Sequence, residues 1–186
     1  AEEAVRRAAA EPLFYAVRSR FKQMRVSMLN RNKVVDLARE CVLRMPDKPL
    51  LIVEPGCGDA KNLVRLMKEL PIAVQRRCLT VGIELSKQLA ECSVRNLEPW
   101  GGHCIAADAL SGCEQFEPGT VDLLVFSSFL EHEINPLPLL RRSREALHIG
   151  GKLIIKVPNF DSLARHVRGH RWCGFRWPDH VNYFTP

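Results

Sequence analysis

Acidic side chains close each of the first three apolar segments of the chain. The acids are Glu54, Glu84 and Asp108, and the segments are Leu50–Glu54, Cys78–Glu84 and His103–Ala107. Short apolar runs bounded by turn residues predict buried β-strands, and open parallel sheets bind ligands beyond the carboxyl ends of their strands. A row of carboxylates at that edge would accept hydrogen bonds from a ligand that carries hydroxyls, amines or positive charge.

A glycine turn, Pro55-Gly56-Cys57-Gly58, follows the first acid and precedes a helical pattern. Glycines at such a turn let backbone N–H groups approach a ligand closely. A phosphate cradle would not place a carboxylate before the glycines, and the Gly-Lys-Ser/Thr ending of a P-loop is absent. Lys61 occupies the third glycine position of the dinucleotide fingerprint, which disfavours a nicotinamide dehydrogenase.

The elements that must position these acids alternate between strand and helix. This order predicts an α/β fold with a Rossmann-like parallel sheet and helices on both faces, preceded by an N-terminal helical extension in residues 2–45. Ser86 is a good N-cap for the helix that follows the second strand. Gly112–Thr120 is expected to be a loop, and Gly150-Gly151 to end the helix Asn135–Leu147. The remaining predicted elements are helices Asn32–Arg44, Ala60–Leu70, Lys87–Asn96 and Asn135–Leu147, and strands Val121–Ser127 and Lys152–Val157.

The acid-x-Gly-x-Gly pattern of Glu54, Gly56 and Gly58 resembles the first motif of class I S-adenosylmethionine-dependent methyltransferases. The resemblance implies that S-adenosylmethionine is the cofactor and S-adenosylhomocysteine the product. It further implies that Glu84 binds the ribose hydroxyls, that Asp108 faces the adenine amine, and that Glu54 lies near the methionine part. The cofactor-binding residues implied are Glu54, Gly56, Cys57, Gly58, Glu84, Leu85, Asp108, Ala109 and Ser127. Cys57 is read as a small residue that fits the turn, not as a nucleophile.

The second half of the chain resembles ubiquinone-type and related small-molecule methyltransferases. The resemblance lies in Ser127–His132 (SSFLEH), Ala146–Leu153 and the ending His180–Pro186. In such an enzyme the protein mainly aligns the acceptor behind the methyl group and removes a proton where needed. His132 and His180 are the candidate catalytic residues for that proton. A lid or an apolar acceptor pocket is expected from the aromatic residues around His180, namely Trp172, Phe175, Trp177, Tyr183 and Phe184.

The predicted domains are an N-terminal helical segment (1–48), an S-adenosylmethionine-binding core (49–158) and an aromatic, basic segment on the acceptor side (159–186). The family fold has seven strands, whereas the sequence places five before Pro186. The C-terminal strands are therefore missing, so that either the chain is a fragment of a longer protein or its sheet closes differently.

Bulk properties indicate a cytoplasmic protein. The seven cysteines are scattered and lack a C-x-x-C pair, which is typical of reduced thiols. No apolar run reaches the roughly 20 residues of a membrane helix, and no signal peptide is recognised. No metal site is predicted: His166, His170 and Cys173 have a helix-breaking glycine between them and lack an obvious fourth ligand.

The sequence favours methyl transfer to an oxygen or nitrogen of a small-molecule acceptor. Residues 1–48 hold eleven Lys/Arg against six Asp/Glu, so an RNA or protein methyltransferase is an alternative, although nucleic acid is not favoured as a partner. The Asn/Asp-Pro-Pro-aromatic motif of DNA base methylation is replaced by SSFLEH. A non-catalytic interaction domain with this fold is the third reading, and the oligomeric state stays open.

Overall fold

The structure is a computed structural model that describes residues 32–186. The predicted helical content of residues 2–31 lies outside the described residues. Residues 34–186 form one compact unit, and the finer division at residues 48/49 and 158/159 stays a prediction. Among the described residues, no helix is both long and apolar enough to cross a membrane.

The sheet has five parallel strands in the order β3-β2-β1-β4-β5, which confirms the predicted α/β architecture. The strands are β1 Leu50–Pro55, β2 Cys78–Glu84, β3 His103–Ala106, β4 Val121–Ser127 and β5 Leu147–Lys156. The α-helices are α1 Lys33–Arg44, α2 Lys61–Glu69, α3 Ile72–Gln75, α4 Lys87–Leu97, α5 Ala109–Cys113, α6 Pro136–Ala146 and α7 Leu163–Arg168. Short 3-10 turns cover Glu98–Trp100 and Gly169–Arg171.

Two apolar clusters lie on the two faces of this sheet. One joins buried side chains of α1 and α2 to Leu50 and Ile52 of β1. The other joins α5 and α6 to Val53 of β1 and Phe126 of β4. Alternate residues of β1 therefore enter different clusters, as the two-residue period of a strand requires. Complete burial of side chains of this size stabilises the fold by about 1.5–3 kcal/mol each.

A buried carboxylate anchors the start of β1 to β4. Asp122 is 5% exposed, and its Oδ2 accepts a hydrogen bond from the Leu51 backbone N–H at 2.9 Å. Its Oδ1 lies 2.7 Å from Nζ of Lys48, in the segment that leads into β1. These contacts fix the register in which the central strand enters the sheet.

The predicted bounds of β2 and β4 are confirmed, and Ser86 caps α4 by accepting a hydrogen bond from the Leu89 N–H. The predicted loop at Gly112–Thr120 is wrong at its first two residues, because α5 extends to Cys113 and begins at a side-chain cap from Asp108.

The junction between α6 and β5 also differs from the prediction. The helix ends at Ala146, and β5 begins at Leu147 rather than Lys152. The glycine pair therefore lies within the strand. Gly150 has φ +91°, and the pairing of β4 with β5 shifts register between Val121 and Leu123. A glycine in the left-handed region allows such an irregularity without breaking the strand.

Candidate functional site

A cavity of about 220 Å³ lies at the carboxyl edge of the sheet, where β2 and β3 end. The predicted site residues that line it are Gly56, Glu84, Leu85, Asp108, Ala109 and His132. Four lining residues were not predicted, namely Ile83, Ala107, Phe129 and Glu133. Open parallel sheets bind ligands beyond the carboxyl ends of their strands, and the cavity lies at this edge of the sheet.

The glycine turn is held against β2 by its own backbone. The N–H groups of Gly56 and Cys57 donate to the Ile83 carbonyl at 2.8 and 3.2 Å. Gly56 has φ +68°, and a Cβ placed there would lie 2.1 Å from Cδ2 of Phe129. Gly58 has φ +58°. Both the backbone conformation and the ring of Phe129 therefore require glycine at position 56.

Glu84 is oriented by two backbone donors. Its Oε2 accepts a hydrogen bond from the Gly58 N–H, and its Oε1 from the Ser86 N–H, both at 2.9 Å. Each oxygen has lone pairs to spare, because a carboxylate accepts about four hydrogen bonds. The glycine turn after β1 and the helix cap after β2 thus present this carboxylate, with its acceptor capacity unfilled, to the cavity.

Asp108 caps α5 and stays anionic. Its Oδ1 accepts a hydrogen bond from the Ser111 backbone N–H at 2.9 Å. Hydrogen bonds from Ser111, above all from its backbone, lower the pKa of Asp108 below its ordinary value. The carboxylate therefore remains a hydrogen-bond acceptor near neutral pH. Its Oδ1 faces the start of α5. The capping role was absent from the sequence prediction, although an Asp directly before a short helical segment is a recognised signal.

Glu54 lies elsewhere, among apolar side chains of α1 and α2 rather than in the cavity. It is 1% exposed, and its Oε1 accepts a hydrogen bond from Nδ2 of Asn62 at 2.6 Å. Its Oε2 has no hydrogen-bond partner among residues 32–186. Desolvation raises the pKa of Glu54 from 4.5 to about 7, and the Asn62 bond offsets part of that rise. The structure brings Glu84 and Asp108 together but not Glu54, whose cofactor-binding role stays a prediction.

Cys57 packs beneath the turn. Its Sγ lies 3.4 Å from Oγ of Ser93 and 3.8 Å from Sγ of Cys104. The Cys104 contact, together with burial, raises the pKa of the Cys57 thiol above its ordinary range. A neutral, buried thiol fits the prediction of a small packing residue rather than a nucleophile.

Ser127 ends β4 beside Lys156 and is not among the residues that line the cavity.

The two candidate catalytic histidines are neighbours. The ring centroids of His132 and His180 lie 4.8 Å apart, at an interplanar angle of 82°. His132 lines the cavity and is partly exposed. His180 is 5% exposed and packs behind it.

The C-terminal segment brings His180 to this position. The backbone N–H groups of Val181 and Asn182 both donate to the Glu131 carbonyl, at 2.8 and 3.1 Å. The Asn182 side-chain amide donates to the carbonyls of Leu130 and Glu133. The loop after β4 and the segment 179–182 therefore form one hydrogen-bonded unit.

The aromatic residues near His180 form a packed cluster. Rings of Phe160, Trp172, Phe175 and Tyr183 contact one another with centroids 5.4–6.2 Å apart. Trp177, which was grouped with them in the sequence, is 80% exposed instead. The role of the cluster as a lid or acceptor pocket stays a prediction.

A family model described as a methyltransferase domain matches residues 53–155, which is more than half of the chain. The chain belongs to this methyltransferase family. Its fold is that of the class I S-adenosylmethionine-dependent methyltransferases, and S-adenosylmethionine is the cofactor of the family.

Solved structures with this fold cover much of the chain at low identity. An S-adenosylmethionine-dependent methyltransferase from Archaeoglobus fulgidus is 19% identical, with a TM-score of 0.59 over 84% of this chain and 64% of that one. The [4+2]-cyclase SpnF is 18% identical, with a TM-score of 0.61 over 82% and 52%. A geranyl diphosphate methyltransferase, solved with GPP and sinefungin, is 19% identical, with a TM-score of 0.53 over 65% and 43%. These identities show the fold alone.

A curated relative is the uncharacterized 37.1 kDa protein in transposon TN4556 of Streptomyces fradiae. It is 28% identical over 109 residues, which are 59% of this chain and 30% of the relative. The chain thus matches under a third of that protein's length.

Proposed function

We propose that the chain transfers a methyl group from S-adenosylmethionine to an oxygen or nitrogen atom of a small-molecule acceptor. The observation that carries the proposal is the cavity that gathers Glu84, Asp108 and His132 at the carboxyl edge of the sheet. When bound, S-adenosylmethionine supplies a methyl group that its sulfonium already activates for transfer.

The residues present fit that cofactor. Glu84 offers two oriented carboxylate oxygens at the place where ribose hydroxyls would bind. Asp108 offers a second anionic acceptor at the neighbouring strand end. The turn at Gly56 brings backbone close to the cavity without a Cβ in the way. These groups bind and orient the cofactor, and alignment of this kind can supply about 7–11 kcal/mol of the barrier reduction.

The acceptor side begins at His132 and Glu133, which line the same cavity as the two acids. His132 lines the cavity on the proposed acceptor side, whereas His180 is buried and contacts the His132 ring. The proton-removing role of either histidine stays a prediction. Small molecules are the proposed acceptors because the second half of the chain resembles small-molecule methyltransferases, whereas a basic groove with stacking aromatics would favour a nucleic acid.

The proposal is tested by calorimetric titration of the chain with S-adenosylhomocysteine, followed by an acceptor screen. Glu84→Gln removes the charge from a hydrogen-bonding group, at a cost of about 1.5–3 kcal/mol per bond to a charged acceptor. The dissociation constant should therefore rise at least about 10-fold. Glu91→Gln, an exposed position on α4, is the matched control and should leave binding unchanged.

The outcomes separate the competing functions. Absence of binding to the wild-type chain would refute the cofactor assignment. Binding without turnover of any acceptor would favour a non-catalytic interaction domain. Salt-sensitive retention on RNA together with methylation of that RNA would favour the alternative nucleic-acid substrate.

A further inference from the structure

A cluster of metal-ligating side chains lies where the loop after β4 meets the C-terminal segment. Glu131, His132 and His180 each place one potential ligand atom so that the three atoms lie within 4.8 Å of one another. His132 also lines the cofactor-edge cavity, so the cluster borders the proposed acceptor position. From the sequence, only His166, His170 and Cys173 were considered as metal ligands and no metal site was predicted, whereas Glu131 and His180 are 49 residues apart in the chain.

Hydrogen bonds leave one lone pair on each imidazole for a ligand. Nδ1 of His180 lies 2.9 Å from the Gly174 carbonyl oxygen. Nδ1 of His132 lies 2.8 Å from the Asp179 carbonyl oxygen and 3.1 Å from its Oδ1. Carbonyl and carboxylate oxygens only accept, so both Nδ1 atoms must carry the hydrogen. In each neutral ring Nε2 is then the unprotonated nitrogen, and a hydrogen bond from the other ring nitrogen to an oxygen acceptor is typical of metal-binding histidines.

Glu131 supplies an independent sign that a ligand is needed. It is 2% exposed, and its Oε2 has no hydrogen-bond partner within the described part of the chain. A buried carboxylate oxygen is costly unless it is paired with a cation or a donor. In the neutral form of the two rings the unprotonated Nε2 atoms cannot donate to it. A cation bound between the three groups would satisfy all of them at once.

The backbone around the cluster is held in place before any ligand binds. The Glu131 carbonyl accepts from the N–H groups of Val181 and Asn182, which directly follow His180. The Asp179 contacts orient the His132 ring from the other side. These bonds join two segments that the chain separates by 47 residues. The ligands therefore sit on a cross-linked loop pair rather than on freely moving side chains.

We propose that Glu131, His132 and His180 bind one divalent transition-metal cation, such as Zn²⁺, Co²⁺ or Mn²⁺. Two imidazole nitrogens with one carboxylate favour these ions over Mg²⁺ or Ca²⁺, which prefer oxygen ligands. Ligand atoms about 2.1 Å from a tetrahedral metal lie about 3.4 Å apart, so binding draws the side chains together by up to about 1.4 Å.

Three protein ligands leave a coordination position open, as in catalytic metal sites. Because His132 borders the cavity, that position is placed to bind an acceptor oxygen. Cation binding is independent of the proposed methyl transfer, and only this acceptor role rests on the proposed function.

The probe is Co²⁺, added to the full chain purified without a histidine tag and in reduced form. We expect one Co²⁺ per chain, visible d–d absorption bands, and none of the charge-transfer bands that cysteine thiolates produce. Glu131→Gln and His180→Asn should each weaken Co²⁺ binding at least about 10-fold, as expected for loss of a ligand. His103→Asn and Glu117→Gln, at exposed positions outside the cluster, should bind Co²⁺ like the wild type.

A second measurement guards against variants that fail to fold. Thermal unfolding with and without Zn²⁺ should show that Zn²⁺ raises the Tm of the wild type but not of His132→Asn, a partly exposed ligand position. Absence of stoichiometric Co²⁺ binding to the folded wild type, or equal binding by all three ligand variants, would overturn the proposal. S-adenosylhomocysteine binding is measured in parallel, so that loss of either activity alone identifies which proposal has failed.

Discussion

The buried carboxyl group of Glu54 makes the stability of the protein depend on pH in the direction opposite to that of most carboxylates. Burial among α1 and α2 raises the pKa of Glu54 from 4.5 to about 7. In the unfolded chain the group ionises near its ordinary value. Between these two pH values the folded protein holds a proton that the unfolded chain has lost, so raising the pH favours unfolding.

The magnitude follows from the two pKa values of Glu54. Each pH unit in that window costs 1.36 kcal/mol, so a rise from 4.5 to about 7 corresponds to roughly 3 kcal/mol. This stability is fully present below about pH 4.5 and is lost above about pH 7. Glu54→Gln keeps an oxygen that can accept the Asn62 hydrogen bond but has no charge to develop. The variant should therefore be the more stable protein at pH 8.

The assay is urea unfolding of both proteins from about pH 4.5 to about pH 8. Other groups titrate identically in the two proteins, so they cancel in the difference between the two free energies of unfolding. That difference should change by roughly 3 kcal/mol in favour of Glu54→Gln as the pH rises. Glu91→Gln, exposed on α4, should show no such change. A difference that stays constant across the range would refute the burial argument.

Two further substitutions test the packing that supports the site. A Cβ at Gly82 would lie 2.4 Å from Sγ of Cys57, so Gly82→Ala should displace the glycine turn and weaken S-adenosylhomocysteine binding. Adding Cys57→Ala to Gly82→Ala should restore part of the lost affinity. If the effects of the two substitutions on the free energy of binding were simply additive, the clash between residue 82 and Cys57 would not be the cause. Asp122→Ala should lower the free energy of unfolding by about 1–3 kcal/mol, because the buried Leu51 N–H loses its acceptor. Asp122→Asn can keep an acceptor for this N–H and should lower the free energy of unfolding less. Equal urea midpoints for the wild type and both variants would show that Asp122 does not anchor β1.

Local chemistry made much of the fold predictable. The limits of β2 and β4 were predicted because each is a short apolar run between turn residues, and Ser86 was recognised from its cap position. The helix α5 was missed because five residues are too few to show a helical period. Its one local signal is Asp108, which had been read only as a ligand-binding acid.

The site was predictable only in part. Glu84 and Asp108 both line the cavity because strand order and strand ends fix the edge, and their cofactor-binding roles stay predictions. The backbone of Glu54 also lies at this edge of the sheet. Its side chain, however, points to one face of the sheet, because side chains along a strand alternate between the two faces. It shares the face of Leu50 and Ile52, which packs against α1 and α2. The two-residue period of the strand, rather than the position of Glu54 at the strand end, therefore determines that this carboxylate is buried against α1 and α2.

The proposed acceptor side of the site is supported by different contacts from the proposed cofactor side. Turn geometry and helix caps position Glu84 and Asp108 with donors a few residues away or on the adjacent turn. The loop that carries His132 is instead held by backbone bonds to residues 179–182, so its geometry depends on how a distant segment returns to the sheet. Changes in that segment are therefore expected to alter the loop with His132 while the hydrogen bonds of Glu84 and Asp108 stay intact. The contact of Phe129 with the glycine turn is a packing link between the two sides. The proposed function therefore predicts that substitutions in residues 179–182 change the acceptor preference more than the binding of S-adenosylhomocysteine.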